Sequence, residues 1–412
     1  MRVIILNQFF YPDHSATSQL MTELAESLVE RGVQVTALSG RGRYNGGEKL
    51  PRRESYRGVA VERAWATSFG KQSTAARLSD YLSFYLGSSW KLIVLPRHDI
   101  VMALTTPPLI ALVALLIGRL RGMRVVALLQ DVYPDVAVAL GAIDSRSSFT
   151  RALKSINRFV LRRVDRAIVL GECMRDRVAP NAGAPASKRI AVIHNWADGS
   201  EIKPLENGHN PFSAQHELAG LFVVLFSGNL GLVNDFATVL DAARLLADRP
   251  DILFLFIGEG SRACEIESFT ERHGLRNIRT LPYQPRDDLR YSLAAGHASL
   301  VTLAEGLAGL SVPSKTYAAL AAGRPILFVG DRGSSIASLI SENGCGAVVE
   351  SGGSERLARL IIDWAASPEL LAEMGRAARS LFTARFDRPR AVSAYMETFS
   401  QCMENGQRVS NP

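Results

Sequence analysis

Short apolar runs of three to six residues alternate with longer amphipathic runs through most of this chain. The short runs are rich in Val, Ile and Leu, which is typical of buried strands, whereas the longer runs have the apolar spacing of helices. We predict strands at residues 3–6, 33–38, 59–63, 100–103, 125–129, 166–170 and 190–193, and then at 222–226, 252–257, 278–281, 298–302, 326–329 and 347–349. Such alternation predicts an α/β fold with mainly parallel sheets.

The length of the chain divides these elements between two domains. One hydrophobic core rarely serves 412 residues. The polar, turn-rich segment 197–216 contains Asp198-Gly199 and Pro204 and separates the two series of strands. We therefore expect a first domain at residues 1–200, a second domain at 201–384, and a C-terminal helix within 385–412, helical from residue 385 to 403, that packs back on the first domain.

The stretch 109–117, LIALVALLI, is the most membrane-like part of the chain. It is too short to cross a bilayer, which takes about 20 residues. Pro107-Pro108 before it and Arg119 and Arg121 after it favour a buried helix of an α/β domain, with a monotopic membrane segment as the alternative. Residues 1–10 lack a small-residue cleavage site, so we interpret them as the first strand and not as a signal peptide.

The four cysteines favour an intracellular protein without disulfides. They are far apart and show no CxxC spacing. This pattern predicts neither a set of disulfides nor a zinc site, and it favours the cytosol.

Charge is distributed unevenly along the chain. Residues 1–200 contain 27 Lys and Arg against 16 Asp and Glu, whereas residues 201–412 contain 20 against 24. A basic first half suits an acidic partner, such as an anionic membrane surface, a diphosphate-linked acceptor or nucleic acid. A basic surface without a specific partner is an alternative of equal weight. Because no RNA- or DNA-binding signature is present, we expect no nucleic-acid partner.

Loops at the carboxyl ends of parallel strands form the ligand sites of open α/β sheets. Each such loop, taken alone, is also typical of an ordinary turn, but four of them at one sheet edge predict a site. Glycines let the backbone approach a phosphate, Arg can pair with it, and an aromatic ring can hold a base. The candidates are Gly228 and Asn229 in the loop 227–231, Arg262 in 258–262, Tyr283 in 282–285, and the segment 305–315.

Segment 302–327, TLAEGLAGLSVPSKTYAALAAGRPIL, reads as a loop of small residues that leads from a strand into a helix. Leu310 and Ser311 lie in the loop, and Lys315 stands at the start of the helix. Gly323 followed by Pro325 ends the helix. Backbone N–H groups, a helix dipole and a cation together predict a phosphate site.

These loops, together with Pro313-Ser314-Lys315 and His194-Asn195-Trp196, resemble glycosyltransferases of family 4, most closely those of bacterial exopolysaccharide, O-antigen and capsule assembly. The resemblance covers nearly the whole chain and implies a GT-B fold, with two Rossmann-like domains that face a central cleft. It also implies transfer with retention of anomeric configuration and a nucleotide diphosphate sugar as co-substrate. No bound metal or other cofactor is expected, because basic side chains and a helix N-terminus neutralise the leaving diphosphate. The chain has no DxD triplet.

The acidic residues depart from the family pattern. Members commonly have two Glu residues eight positions apart, and the second position here is Ala318. Strict counting places the first position at Leu310. Glu305 corresponds to the first Glu only if the loop carries five extra residues.

The cations of the second domain depart as well. Members often have Arg and Lys after the first strand of that domain, where this chain has Asn229 and Val233-Asn234-Asp235. Neutralisation of a diphosphate would then fall on Lys315 and Arg262.

The resemblance implies that loops of the first domain bind the acceptor. Asp131 follows strand 125–129, and with Glu305 it is our candidate catalytic carboxylate. It would orient a sugar or act as a general base, with capping of the next helix as the alternative role. Aromatic side chains exposed in the loop after the first strand would suit a lipid-linked acceptor. The acceptor-side candidates are Phe10, Tyr11, His14, Arg41 and Glu172.

The expected protein is a cytosolic glycosyltransferase, peripheral on the inner face of the cytoplasmic membrane. It would move a sugar, UDP-linked in our prediction, to a lipid-linked saccharide for exopolysaccharide or lipopolysaccharide synthesis. One alternative is a nucleotide-sugar 2-epimerase, which would interconvert UDP-sugars without any acceptor. A second alternative is a catalytically silent partner that retains a nucleotide-binding shape.

Overall fold

The computed structural model describes residues 1–13, 15–43, 47–70, 74–205 and 210–407. The chain forms two compact domains. Met1–His194 and Pro389–Pro412 make up the first domain, and Asn195–Arg388 make up the second. The second domain is therefore inserted between the body of the first domain and its last helix.

The first domain is built on a mainly parallel sheet. Its strands within the described residues are β1 Arg2–Leu6, β2 Gln34–Gly40, β3 Arg53–Tyr56, β4 Val59–Ala64, β5 Ile100–Ala103, β6 Arg124–Leu129, β7 Arg166–Val169 and β8 Ile190–Val192. They are ordered β3-β4-β2-β1-β5-β6-β7-β8. Only the pair β3 and β4 is antiparallel among these described strands.

Helices follow most strands of the first domain. They are α1 Ala16–Glu30, α2 Thr74–Val94, α3 Ile110–Leu120, α4 Asp135–Ala139, α5 Ser148–Arg163, α6 Glu172–Ala182 and α7 Ala184–Ser187. In α1 the predicted apolar stripe of Leu20, Leu24 and Leu28 is buried. The stretch predicted as a buried helix forms α3, which buries one face but leaves Leu116 57% and Leu120 81% exposed. Across the described residues, no helix is both long and apolar enough to span a membrane.

The second domain has a fully parallel sheet. Its strands in the described chain are β9 Phe222–Ser227, β10 Ile252–Ile257, β11 Ile278–Leu281, β12 Ala298–Thr302, β13 Ile326–Val329 and β14 Gly346–Val349, in the order β11-β10-β9-β12-β13-β14. Its helices are α8 Pro211–Gln215, α9 Ala237–Leu245, α10 Ala263–His273, α11 Leu289–Ala294, α12 Lys315–Ala321, α13 Ser335–Glu342, α14 Ser354–Ala365 and α15 Pro368–Arg385. A packed trio of Phe226, Phe236 and Phe256 lies under the carboxyl end of β9, with ring centroids 5.1–6.0 Å apart.

Every predicted strand overlaps an observed one, so the α/β fold with two parallel-sheet domains is confirmed. The strand β3 was not predicted. It forms a hairpin with β4 through Arg57 and Gly58, which adopt φ angles of +45° and +81°. Such left-handed values at both central residues are those of the two-residue hairpin turn that follows the twist of its strands.

The predicted C-terminal helix is interrupted near its start. The helix α15 ends at Arg385, and a new helix, α16, runs over Arg388–Gln407. Between them the Asp387 carboxylate accepts hydrogen bonds from the N–H groups of Gly199 and Arg388. Within the first domain, Arg31 donates to Pro389 O and Ser393 Oγ of the returning chain, and Arg166 donates to Gln401 Oε1.

Candidate functional site

The order of strands in the second sheet reverses between β9 and β12. From β9 the chain moves outward to β10 and β11, and from β12 it moves outward in the opposite direction. Ligands of open α/β sheets bind in the crevice that opens beyond the carboxyl ends of strands at such a point. The loops after β9 and β12, which the sequence singled out, both start there.

Glycines bring the loops after β9 and β10 into backbone contact. Gly258 has φ +144°, and a Cβ atom on it would lie 2.0 Å from Gly228 O. A Cβ atom on Gly260 would lie 2.3 Å from Leu230 O. Gly228 also has φ of +140° and donates its N–H to Ile257 O. No side chain larger than hydrogen fits at Gly258 or Gly260 without moving the facing backbone, so the two loops form one rigid unit.

Asn234 joins three of these segments. Its Oδ1 accepts hydrogen bonds from Lys315 Nζ at 2.8 Å and from Thr302 Oγ1 at 3.1 Å. Its Nδ2 donates to Asn229 O and Gly231 O. The side chain of Asn234 is 1% exposed, and its amide thereby makes two hydrogen bonds on each end, the full capacity of the group. Asn234 therefore fixes the position of the Lys315 ammonium relative to the loop after β9.

Lys315 is a half-buried cation whose described partners carry no negative charge. Its Nζ donates to Asn234 and lies 4.0 Å from the centroid of the Phe226 ring. The aliphatic part of the side chain passes beside Gly228, where a Cβ atom would lie 3.5 Å from Lys315 Cε. Loss of hydration lowers the pKa of Lys315 to about 7. An anion placed here would restore the charged form, because a nearby negative charge raises the pKa of an amine.

Arg262, the second predicted cation, already has a carboxylate partner. Its Nε and one terminal nitrogen pair with Glu265, and its other terminal nitrogen donates to Asn234 O at 2.5 Å. The guanidinium lies over the Phe236 ring, 5.5 Å from the centroid. In this arrangement Arg262 holds the main chain at Asn234. Contact with a phosphate would require it to share its donors or to leave Glu265.

The remaining donor-side candidates are placed as follows. Three of them are exposed in loops after strands: Asn229 after β9, Glu305 after β12 and Tyr283 after β11. The Tyr283 side chain is 43% exposed. Ser311 is half-buried, whereas Leu310 is a core side chain at 1% exposure. The N–H groups of Leu310 and Ser311 both donate to Leu307 O. The turn itself therefore uses these two amides, and ligand contact at Leu310 and Ser311 stays a prediction.

In the first domain, the loop after β1 is tied to two neighbouring strands. Gln8 N–H donates to Thr106 O, and Gly40 N–H donates to Gln8 O, each at 2.9 Å. Phe10 is 3% exposed, and Tyr11 stacks on Tyr56 of β3 with ring centroids 3.6 Å apart. The prediction that this loop exposes its aromatic rings was wrong for Phe10, whereas Phe9 and Tyr11 are half-buried. Tyr11 is partly covered because Tyr56 of β3 stacks on it.

Asp131 lies at the end of β6, close to the loop after β5. Its N–H and that of Gln130 both approach Thr105 Oγ1, at 3.4 Å and 3.2 Å. The helix that follows, α4, has Pro134 at its N-cap position, three residues beyond Asp131. Asp131 also lines a cavity of about 40 Å³ whose other walls are largely apolar. Asp135, one turn on, pairs with Lys154 at 3.1 Å.

The other acceptor-side candidates have structural partners. Arg41 donates from Nε to Leu50 O at 2.9 Å. Glu172 begins α6, is exposed, and pairs with Arg175 one turn on. His14 lies outside the described residues.

Two family profiles together match most of the chain. The Glycosyl transferase 4-like domain matches residues 16–196, and Glycosyl transferases group 1 matches residues 211–381. The chain belongs to the family 4 glycosyltransferases. The predictions of the family and of a glycosyltransferase enzyme are confirmed.

Two proteins similar to this glycosyltransferase are themselves named as glycosyltransferases. A probable glycosyltransferase WbjE of Pseudomonas aeruginosa is 32% identical over 265 residues, which span 64% of this chain and 66% of the relative. A putative colanic acid biosynthesis glycosyl transferase WcaI of Escherichia coli (strain K12) is 23% identical over 335 residues, which span 78% of this chain and 82% of the relative.

Solved structures share the fold of this glycosyltransferase. Sucrose-phosphate synthase from Thermosynechococcus elongatus superimposes with a TM-score of 0.76 at 12% identity, covering 98% of this chain and 100% of that one. Alr3699/HepE of Anabaena, solved in complex with UDP and glucose, gives 0.73 at 16% identity, covering 97% and 99%. The predicted GT-B fold class is confirmed by these neighbours.

Sequence reasoning missed Asn234 and Thr302 as members of the site. Asn234 was noticed only as a departure from the family pattern, and Thr302 only as the end of a strand. The usable signal was that a buried Asn in a loop must find partners for both ends of its amide. Within the described ranges, no group of three or more His, Cys, Asp and Glu side chains could hold a metal.

Proposed function

We propose that this glycosyltransferase moves a sugar from a UDP-linked donor to a lipid-linked saccharide in bacterial surface polysaccharide synthesis, with retention of configuration. The observation that carries the proposal is Lys315, a cation enclosed at the switch point of the second sheet beside Asn234 and the Phe226 ring. A diphosphate is the ligand class that such a cation and the flanking glycine loops suit.

In this proposal, the donor diphosphate lies beside Gly228 and Lys315, and Tyr283 contributes to binding of the base. Lys315 would stabilise the negative charge that develops on the leaving UDP, the role for which a preorganised cation in a site of low dielectric is effective. Asn234 and Thr302 would hold Lys315 in place. Asp131 and Glu305 remain our candidates for orienting the sugar and the acceptor hydroxyl.

The relatives and structural neighbours support the chemical class. The name of the Escherichia coli relative refers to colanic acid biosynthesis, and the Anabaena protein was solved with UDP and glucose. The basic first half of the chain suits a diphosphate-linked acceptor at an anionic membrane surface. A cytoplasmic location at the inner face of the membrane follows from that acceptor.

The test begins with thermal shifts of the purified protein in UDP, GDP, ADP and CDP, because selective binding stabilises the folded state by mass action. Radiolabelled UDP-sugars are then incubated with extracted lipid-linked saccharides, and the anomeric configuration of the product is read by NMR. Lys315→Met should abolish the UDP shift and the transfer, whereas Lys203→Met, an exposed lysine of the same domain, should change neither.

Three results would count against this proposal. Absence of any shift with UDP would remove the donor assignment. Formation of UDP-sugar isomers without acceptor would identify an epimerase instead. An inverted product would refute retention.

A further inference from the structure

Helix α2 of the first domain exposes its apolar side chains. Leu78, Leu82, Leu86, Trp90 and Ile93 are 46–69% exposed, and we call this set the α2 apolar face. They follow one another at intervals of four, four, four and three residues, which places them on one side of a helix. At 1.5 Å per residue the face extends for about 22 Å.

The opposite side of α2, which packs into the domain, is mostly small or polar. Asp80, Ser83 and Ser88 are buried there beside Phe84, and each is at most 9% exposed. A Cβ atom on Gly87 would lie 2.1 Å from Trp65 O, so the helix contacts the preceding segment backbone to backbone. The amphipathic pattern of α2 is therefore inverted with respect to an ordinary surface helix, whose apolar side faces the core.

Asp80 fixes two further aromatic rings in exposed positions. Its carboxylate accepts hydrogen bonds from Thr67 Oγ1 at 2.7 Å and from the N–H groups of Phe69 and Gly70 at 3.0 Å. This attachment holds the segment 65–70 against α2. The side chains of Trp65 and Phe69 remain 61% and 63% exposed. A loop held by three hydrogen bonds that exposes two aromatic rings extends the apolar surface beyond the helix.

The charges around the α2 apolar face have one sign. Residues 65–98 contain one carboxylate, Asp80, whose oxygens are used within the segment, and four Lys and Arg, of which Lys91 pairs with Glu62 of β4. Arg77 is exposed in the first turn of α2, and Arg97 is exposed after the last turn. Arg121 donates to the carbonyl groups of Leu92, Ile93 and Leu95 and so adds a third cation at the C-terminal end.

This combination selects an anionic lipid bilayer as the occupant. Trp and Phe beside Leu and Ile, with cations at both ends, is the composition of helices that lie in the membrane interface. A second copy of the chain is disfavoured, because a two-fold contact would bring the same cations of each copy together without a carboxylate to meet them. A protein partner is left as an outcome of the test.

We propose that the α2 apolar face, with Trp65 and Phe69, docks the first domain onto an anionic membrane, α2 lying in the plane of the headgroups. The inference rests on the membrane location in the proposed function and names the surface that would meet that membrane, while its test requires neither a particular donor nor catalysis. It differs from the prediction made for the loop after β1, in which Phe10 is buried and Tyr11 stacks on Tyr56.

Tryptophan fluorescence gives a direct readout, since the chain has four tryptophans and the other two, Trp196 and Trp364, are 3% exposed. The full-length protein is mixed with vesicles of phosphatidylglycerol and phosphatidylcholine that carry bromine on their acyl chains. We expect quenching of the emission that is reduced in Trp90→Phe and further reduced in Trp65→Phe/Trp90→Phe. Co-flotation should persist in both variants, because Phe keeps the apolar surface.

Partitioning onto the same vesicles tests the face itself. Leu82→Ser/Leu86→Ser should lower the partition coefficient about tenfold or more, and Arg77→Glu about fivefold. The matched control is Leu232→Ser, which alters a leucine 57% exposed in the second domain and should bind like wild type. Circular dichroism checks that each variant is folded, and no sugar donor is present, so the result is independent of the proposed transfer reaction.

The proposal is overturned if wild type shows no binding to vesicles containing phosphatidylglycerol or if Leu82→Ser/Leu86→Ser, folded, floats like wild type. It is also overturned if light scattering shows a dimer that this variant dissociates while vesicle binding is unchanged, since the face would then be an interface between copies. Binding that is equal on neutral and anionic vesicles would refute the role given to the cations.

Discussion

Lys315 is predicted to titrate near neutral pH, and its replacement by Met tests the electrostatics of the candidate site. Burial lowers the pKa of this amine to about 7, so about half of the molecules carry a neutral Lys315 at pH 7. A bound diphosphate would hold the amine protonated. Its apparent Kd should therefore rise about fivefold between pH 7 and 8, and about tenfold more between pH 8 and 9.

The same shift sets the pH dependence of stability. Because the folded-state pKa lies below the unfolded value of 10.5, the unfolded chain binds more protons between pH 7 and 10.5. Stability from this group therefore rises with pH through that window, and the full penalty applies below pH 7. At about 1.4 kcal/mol per pKa unit the penalty is on the order of 5 kcal/mol. Lys315→Met should remove this slope and leave the protein at least as stable as wild type at pH 7, although it weakens binding.

Two measurements check this reasoning. NMR of ¹⁵N-labelled lysine follows the Lys315 amine directly, with Lys203→Met and Lys315→Met providing the assignment. Isothermal titration with UDP at pH 7, 8 and 9 measures Kd in wild type and in Lys315→Met, and the variant gives the pH dependence that belongs to UDP itself. An amine that titrates near 10.5, or a wild-type Kd that stays constant over this range, would refute the argument.

Two pairs of substitutions test the packing within each domain. Gly258→Ala would place a Cβ atom 2.0 Å from Gly228 O and should destabilise the second domain by about 3 kcal/mol or more in urea unfolding. Gly274→Ala, where nothing lies within 4 Å, should cost only about 1–2 kcal/mol for its left-handed backbone, and equal losses would disprove the close approach. Arg63→Met removes a guanidinium with 0% side-chain exposure that pairs with a carboxylate and should cost about 3–5 kcal/mol. Arg53→Met, 71% exposed in its own ion pair, should cost less than about 1 kcal/mol, and equal melting temperatures for the two variants would contradict the buried role of Arg63.

The parallel strands could be predicted from the sequence because each is a short apolar run buried on both faces. The strand β3 could not, since its sequence Arg53–Tyr56 is polar and its burial alternates only between exposed and half-buried positions. The sequence signal for the hairpin was the pair Arg57-Gly58 just before the apolar strand β4. The residues before this pair show no alternation of apolar and polar positions that would have indicated a strand. Without β3, the stacking partner of Tyr11 could not be predicted, because it is Tyr56 of that strand.

The candidate site was only partly accessible to sequence reasoning. Its loops were found because strand ends can be located from local patterns. The hydrogen bond that organises them joins Asn234 to Lys315, residues 81 positions apart, and no local pattern encodes such a pair. The exposure of α2 was missed for a different reason. Apolar periodicity shows that a helix has an apolar and a polar face, but it does not show which of them packs against the domain. In α2 the polar face packs inward because Asp80 and Gly87 contact Thr67 and Trp65, which lie in a separate segment.

The insertion of the second domain ahead of α16 sets the order in which a ribosome can complete this protein. Residues 195–412 follow the body of the first domain, and at roughly 5–20 residues per second their synthesis takes on the order of 10–40 s. Val392, Tyr395 and Phe399, each 0% exposed in the finished chain, are added near the end of that interval. The domain that begins first is thus finished last, and a nascent chain stopped just after Arg388 would have a complete second domain and a first domain that lacks α16.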